Sequence, residues 1–477
     1  MSATEQRPSN RVLVLFGATG DLAARKLYPG FFHLYRQGMM PEDFRIIGSG
    51  RHAPGSDDEF SSLIHQALEE HGRGELDDRW EEFATKLSFV VSSADDGQEL
   101  AEAVTRAEEE IGAEGERLVY LSVPPGAMRE MVQMLGRTGL AEHCALVVEK
   151  PFGHDLRSAR ELNAALHEVL DEDAIYRIDH FLGKEAAQNI LALRFANGLL
   201  EPIWNRDHIT YVQVDVPESI GIEGRAAFYE ETGAFRDMVV THLLQILGPV
   251  ALEPPSRIDA ESLHIERTKV FDALRPLDPE RVVFGQYEGY RDEDGVAEDS
   301  DSETFAALEV NVDSWRWSGV PFYLRTGKAM AEGRRTVTIG FTGAPLRIFP
   351  SQQEHAPSRP SELVFELSDN PTVRVEVQAK IPGPELKLGK AALTLDIEKA
   401  FDGSDGLEAY ERLLHDVMMK DRLLFTRSEQ IERLWEVCAP VLEHPPKSLP
   451  YPQGSWGPDG ALELPRPPGW RLPDGDA

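Results

Sequence analysis

The apolar positions along the chain fall into two textures. In the first, short uninterrupted runs alternate with segments of helical period. Val12-Leu13-Val14-Leu15-Phe16 opens the series, and Phe44–Gly48, Leu87–Val91, Leu118–Val123 and Cys144–Val148 repeat it. A run that is apolar at nearly every position is a strand buried on both faces, as in a parallel sheet. Helical spacing lies between them, through Leu27, Phe31, Leu34 and Tyr35 and again across 57–82. This alternation predicts an α/β, doubly wound parallel sheet of Rossmann type, with ligands at the carboxyl ends of its strands.

Beyond Asn197 the period shortens to two. Ile209-Thr210-Tyr211-Val212-Gln213-Val214-Asp215-Val216 alternates, which predicts a strand with one buried and one polar face. Similar runs lie at 304–312, 320–325, 336–341, 362–367 and 372–379. They predict a larger α+β domain built on a big, mostly antiparallel sheet. Helices are expected over 233–247, 407–418 and 428–442, and a loop over the acidic stretch 292–301. The tail from Pro445 is rich in Pro, Gly and Trp and is expected to lie extended on the surface. The chain divides into residues 1–178, a dinucleotide-binding domain, and 179–477, a substrate-binding and dimerisation domain.

Candidate chemistry clusters at the strand ends. Gly17-Ala18-Thr19-Gly20-Asp21-Leu22 joins the first strand to a helix. Gly17 permits a tight turn, and Gly20 lets backbone amides approach a pyrophosphate at a helix N-terminus. The alternative is a purely structural turn. The second strand ends in Gly48-Ser49-Gly50-Arg51, without the acid that holds a ribose 2′-hydroxyl. Arg51 there suits a 2′-phosphate, hence NADP with NAD still possible, or is a plain surface arginine. Lys150 stands between a buried strand and Pro151, a candidate cis bond. Arg177-Ile178-Asp179-His180-Phe181-Leu182-Gly183-Lys184-Glu185 places His180 and Lys184 four apart, on one face if helical. A phosphate would satisfy both; a solvated helix start capped by Asp179 is the other reading. Asp237 and His242, five apart on an α-helix, would face different ways.

Charge narrows the classes of partner. The net charge is −33, from 82 acidic and 49 basic residues, which argues against nonspecific binding to nucleic acid or an anionic membrane. An anionic small substrate would need a locally basic pocket. Cys144 and Cys438 are far apart and form no metal or disulfide framework, so a reducing cytoplasm fits. The polar stretch Met1–Asn10 has no apolar signal-peptide core, and no run of about 18 apolar residues suggests a membrane span.

Taken together the motifs resemble the glucose-6-phosphate dehydrogenase family. The likeness rests on the glycine turn, Glu149-Lys150-Pro151-Phe152-Gly153, the stretch from Arg177 to Glu185 and Pro202-Ile203-Trp204-Asn205-Arg206. It continues through Arg236-Asp237, His242-Leu243-Leu244-Gln245, Pro321-Phe322-Tyr323-Leu324-Arg325-Thr326-Gly327-Lys328 and Ala409-Tyr410-Glu411-Arg412-Leu413-Leu414. The resemblance implies oxidation of glucose 6-phosphate to 6-phosphoglucono-δ-lactone, with hydride transfer to NADP and no metal. It implies His242 as general base and Asp179 as the carboxylate that orients it. His180 and Lys184 would hold the phosphate, and Glu218, Asp237 and Lys328 the sugar hydroxyls. Lys150 would reach both sugar and nicotinamide. Gly17, Thr19, Gly20, Asp21, Leu22 and Arg51 would meet the cofactor. A homodimer or homotetramer is implied as well.

The chain departs from the family pattern in three places. Phe181 replaces a common tyrosine and so lacks a hydroxyl for the phosphate. Gly333 stands where a cation is usual, leaving Arg334, or Arg335, to supply the charge. Ser368 lies near a position where a sugar-binding glutamine is common. Two other readings stand beside the enzyme: a related two-domain Rossmann sugar oxidoreductase, and a catalytically inactive partner subunit.

Overall fold

Six parallel strands form the first sheet: β1 (Arg11–Phe16), β2 (Phe44–Gly50), β3 (Leu87–Val91), β4 (Arg117–Leu121), β5 (Cys144–Glu149) and β6 (Ile175–Ile178). Their order is β3-β2-β1-β4-β5-β6. From β1 the chain winds one way to β3 and then the other way to β6, so the ends of β1 and β4 are the switch point where such sheets bind ligands. Val12 to Leu15 are fully buried, as the apolar run predicts. This computed structural model describes residues 7–74, 76–113, 116–346, 348–349, 359–368, 371–401 and 406–472. The first six residues of the polar N-terminal stretch lie outside the described residues.

The first of two units comprises Met1–Gly183, Ile258–His264 and Gly406–Glu432. A linear division at 178/179 takes no account of the last segment. Its helix Ala409–Met418 puts Leu413, Leu414, Val417 and Met418 into the same core as Leu13, Phe31 and Tyr120. Burial of four large apolar side chains is worth about 1.5–3 kcal/mol each, ample reason for a distant segment to return.

The second unit comprises Lys184–Arg257, Ile265–Asp405 and Arg433–Ala477. Its sheet has nine strands: β7 (Ile209–Pro217), β8 (Val282–Tyr287), β9 (Phe305–Asn311), β10 (Pro321–Gly327), β11 (Thr336–Phe341), β12 (Glu362–Glu366), β13 (Thr372–Lys380), β14 (Leu388–Asp396) and β15 (Leu449–Tyr451). They run in the order β14-β13-β12-β11-β7-β10-β9-β8-β15. Among the described residues only the β7–β10 and β8–β15 pairs are parallel, so the sheet is mostly antiparallel.

Two local expectations are corrected. The polar face of β7 is buried rather than solvated. Asp215 is paired with Arg325 of β10 through contacts of 2.9 and 2.5 Å. Gln213 exchanges hydrogen bonds with the tail, donating to the Gly469 carbonyl at 2.8 Å and accepting from the Arg471 amide at 2.9 Å. The tail's Trp470 is itself buried, its ring 4.6 Å from the Arg325 guanidinium. Period two thus marks two chemically different faces, and the tail supplies the partner for the polar one. The helix expected over 233–247 is three pieces: an α-helix Ala226–Ala234, a π-helix Phe235–Leu243 and an α-helix Leu244–Ala251. Among the described residues no helix is long and apolar enough to cross a membrane.

Candidate active site

In the first unit the glycine turn lies at the switch point. Gly17 has φ +72°, and a Cβ there would stand 2.0 Å from the Ser122 carbonyl oxygen beyond β4. Its amide donates to the carbonyl of Ser49, near the end of β2, at 3.1 Å. Three strand ends therefore converge on a residue that can only be glycine. Gly20 closes the turn by donating to the Gly17 carbonyl at 2.9 Å. Thr19, Gly20 and Asp21 are exposed where the helix begins, and Leu22 is half-buried. An exposed helix start at a strand's carboxyl end is an anion site by amide direction and dipole. Arg51 is exposed directly after β2.

Lys150 follows β5, half-buried, and its bond to Pro151 is cis. Its neighbour Glu149 accepts a hydrogen bond from the Tyr120 hydroxyl. Burial pushes the Glu149 carboxyl up to about 7, partly offset by that hydrogen bond, by Lys150 and by a hydrogen bond with Tyr410.

Asp179 follows β6 and is buried, 3% exposed. One carboxylate oxygen accepts from the Phe181 amide at 2.9 Å, and its carbonyl accepts from the Leu182 amide at 3.1 Å. This aspartate turn corrects the helical reading of the stretch: helix begins only at Glu185, with Lys184 as its extended N-cap. The side-chain carboxylate gives the backbone an alternative to helix. Gly183 also lets the turn press onto the helix that bears Tyr410; a Cβ there would meet the Ala409 carbonyl oxygen at 2.9 Å. His180, half-buried, stacks on the Tyr410 ring. Phe181 is buried, 4% exposed, so its ring is a core side chain.

In the second unit, the π-helix carries Asp237, half-buried, and His242, 1% exposed. A π-helix pairs i with i+5, is rare, and frequently occurs at functional sites. Residues five apart stack along such a helix, so the expectation that Asp237 and His242 face different ways, made for an α-helix, does not apply. The Thr241 hydroxyl donates to the Asp237 carbonyl.

Glu218 follows β7 and Lys328 follows β10; their side chains form an ion pair. The Glu218 amide donates to the Gly327 carbonyl at 2.9 Å, which fixes the two strand ends together. Lys328 Nζ also lies 5.7 Å over the ring of Tyr229. Burial pushes the Tyr229 hydroxyl well above its usual range, and the carboxylates of Asp237 and Glu218 add to the shift. Tyr229 is thus the hub around which Glu218, Asp237 and Lys328 gather. Arg334 turns away to Glu366 at 3.3 Å, whereas Arg335 lies 3.5 Å from Glu218.

Sequence reasoning gave no role to Tyr229, and no spacing marks it. Tyr410 was visible only as part of a motif, because its contact with His180 joins positions distant in the chain.

A parallel dinucleotide-type sheet, together with a large sheet whose strand ends pair Glu218 with Lys328 and which packs against the helix carrying Asp237 and the buried His242, defines a two-domain oxidoreductase. Comparison with known proteins narrows the class. Residues 14–189 match the family described as glucose-6-phosphate dehydrogenase, NAD binding domain, and 191–471 match its C-terminal domain. Glucose-6-phosphate 1-dehydrogenase 2 of Mycobacterium tuberculosis is 38% identical over 97% of this chain and 94% of its own. The enzyme of Rhizobium meliloti is 39% identical over 94% and 95%. A crystal structure from Mycobacterium avium superposes with TM-score 0.85 at 36% identity, covering 98% of this chain and 99% of that one. A glucose-6-phosphate dehydrogenase solved with its substrate glucose 6-phosphate superposes with TM-score 0.89 at 33% identity, covering 99% and 100%. The chain belongs to the glucose-6-phosphate dehydrogenase family. Levoglucosan dehydrogenase, at 10% identity and TM-score 0.52, shares the fold alone.

Proposed function

We infer that the chain oxidises D-glucose 6-phosphate to 6-phospho-D-glucono-1,5-lactone, the first, oxidative step of the pentose phosphate pathway. The observation that carries the reading is the gathering of Glu218, Asp237 and Lys328 around Tyr229, with the buried His242 on the helix that bears Asp237. In this reading Glu218, Asp237 and Lys328 bind sugar hydroxyls, and Arg335 joins them rather than Arg334. His242 takes the proton of the anomeric hydroxyl as C1 gives up its hydride. Imidazole suits that work near neutral pH. Asp179 supports the base, and His180 and Lys184 hold the phosphate. Lys150, ahead of its cis proline, serves sugar and nicotinamide.

The turn Gly17–Leu22 fits a dinucleotide, because Gly17 makes the tight turn where a side chain would strike the Ser122 carbonyl and leaves the helix start at Thr19–Asp21 exposed for a pyrophosphate. The bound nicotinamide supplies the hydride acceptor. We propose NADP as the preferred cofactor, with Arg51 pairing its 2′-phosphate. We also propose a homo-oligomer that covers the outer edge of the large sheet, where Leu393 of β14 is 67% exposed and Ile381 49%. The two buried free thiols suit the cytoplasm.

Steady-state kinetics with glucose 6-phosphate and both cofactors test the reading. His242→Asn is expected to lower kcat by about 10²–10⁴-fold, the usual value of a general base, with little change in KM. Near-normal turnover would remove the base assignment. Lys184→Ala is expected to raise KM for glucose 6-phosphate but not for glucose. Arg51→Ala is expected to lower kcat/KM for NADP and leave that for NAD unchanged.

A further inference from the structure

We propose that Glu303 is a positioning residue for the base: with Thr304 it fixes the helix carrying Asp237 and His242 against the loop carrying Lys328. Glu303 ends an acidic loop just before β9, where a solvated carboxylate is the ordinary expectation. It is instead buried, 9% exposed. Its side-chain Oε1 accepts from the amide of Phe235, the first residue of the π-helix, at 3.0 Å. Its carbonyl accepts from the Ala234 amide at 2.8 Å. Donors at a helix start that have no partner within the helix are thereby satisfied, and a carboxylate faces the positive end of the dipole.

Gly233 turns the chain into the helix beneath this carboxylate, with φ +63° and ψ 172°. A Cβ at Gly233 would stand 2.2 Å from Glu303 Oε1, so the glycine and the glutamate are matched. The next residue holds the other element. The Thr304 carbonyl accepts from the Lys328 amide at 2.9 Å, and the Thr304 amide donates to the Gly285 carbonyl at 2.8 Å. One dipeptide at the start of β9 therefore sets where His242 and Asp237 stand relative to Lys328. On the helix side the Glu303 carboxylate is the contact a substitution can remove. The inference rests on reading His242 as the base.

Glu303→Gln, Glu303→Asp and Glu303→Ala, each alone and with His242→Asn, provide the test. Gln keeps an oxygen acceptor of the same reach and is expected to stay within about three-fold of the wild-type kcat. Asp and Ala withdraw the acceptor and are expected to lose about ten- to a hundred-fold in kcat, the order expected for misplacement near 1 Å. The KM for NADP is expected to stay unchanged. In the His242→Asn background the same changes should cost less than about two-fold more, because a base already removed cannot be misplaced. Losses that multiply in the double variants, or an Asp variant with wild-type kcat, overturn the proposal. Should the Ala variant not fold, the Asp and Gln pair carries the same comparison. Near-normal turnover of His242→Asn alone sinks the base reading instead, so the two failures are distinct.

Discussion

The imidazole of His180 lies parallel to the phenol ring of Tyr410, with centroids 6.0 Å apart and 12° between planes. Tyr410 is anchored in turn by its hydrogen bond with Glu149, which also accepts from Tyr120. The histidine proposed to hold the phosphate is therefore held by a tyrosine that cannot easily turn. Tyr410→Leu removes the stack, worth about 0.5–1.5 kcal/mol, so KM for glucose 6-phosphate should rise about two- to ten-fold. Tyr410→Phe keeps the ring and loses the anchor, and should fall between. An unchanged KM in the Leu variant would separate His180 orientation from substrate affinity.

The arginine pair after Lys328 gives a sharper comparison. Consecutive positions entering β11 must point to opposite faces. Arg335 accordingly lies 3.5 Å from Glu218, and Arg334 3.3 Å from Glu366. Arg335→Ala should raise KM for glucose 6-phosphate about ten-fold, the order of one hydrogen bond to a charged group. Arg334→Ala should leave KM within about two-fold and cost at most about 1 kcal/mol of stability, as a part-exposed ion pair does. The reverse order of effects would return the cation to Arg334.

Much of this was legible in the sequence, and the gaps have physical causes. The parallel strands are legible because each is apolar at nearly every position. The glycine turn is legible because strand and helix flank it. The membership of Ala409–Met418 in the first unit is not, since an amphipathic helix does not name the core it joins. Strand β14 escapes notice because its side chains are largely exposed and carry little burial signal. Phe235–Leu243 reads as an ordinary helix because π and α segments share composition; only the i+5 pairing tells them apart. Arg335 is distinguished from Arg334 by strand phase, which depends on where β11 begins. Glu303 carries no signal, being one acid at the end of an acidic run.

Glu149 couples the site to pH. Burial raises its carboxyl from the ordinary 4.5 to about 7, with the Tyr120 hydrogen bond the largest opposing effect. A group raised in the folded state favours folding when protonated. Its contribution is full below the unfolded value near 4.5 and is lost as pH rises through about 7. Glu149→Gln removes that dependence. The stability of the variant relative to wild type should therefore increase between about pH 4.5 and 7 and stay level above. Urea denaturation at pH 5, 6, 7 and 8 reads the slope, and a constant difference across this range would contradict the shifted carboxyl.

The Asp215–Arg325 pair lies at the centre of the large sheet, with Arg325 fully buried and Asp215 5% exposed. Arg325 also sits 4.6 Å from the Trp470 ring and donates to the Trp456 carbonyl at 3.3 Å. Removing one partner leaves a charge in the interior, which costs about 3–5 kcal/mol, whereas removing both costs far less. Asp215→Ala should thus destabilise strongly, and Asp215→Leu with Arg325→Met should recover much of the loss. The pair joins β7 to β10, the strands that end at Glu218 and Lys328. The single variant, assayed below its unfolding temperature, should therefore also raise KM for glucose 6-phosphate. Chemical denaturation with kinetics on the same samples checks both parts. A single variant that loses stability while keeping its KM would show that Glu218 and Lys328 are fixed by their own ion pair, independently of the strands beneath them.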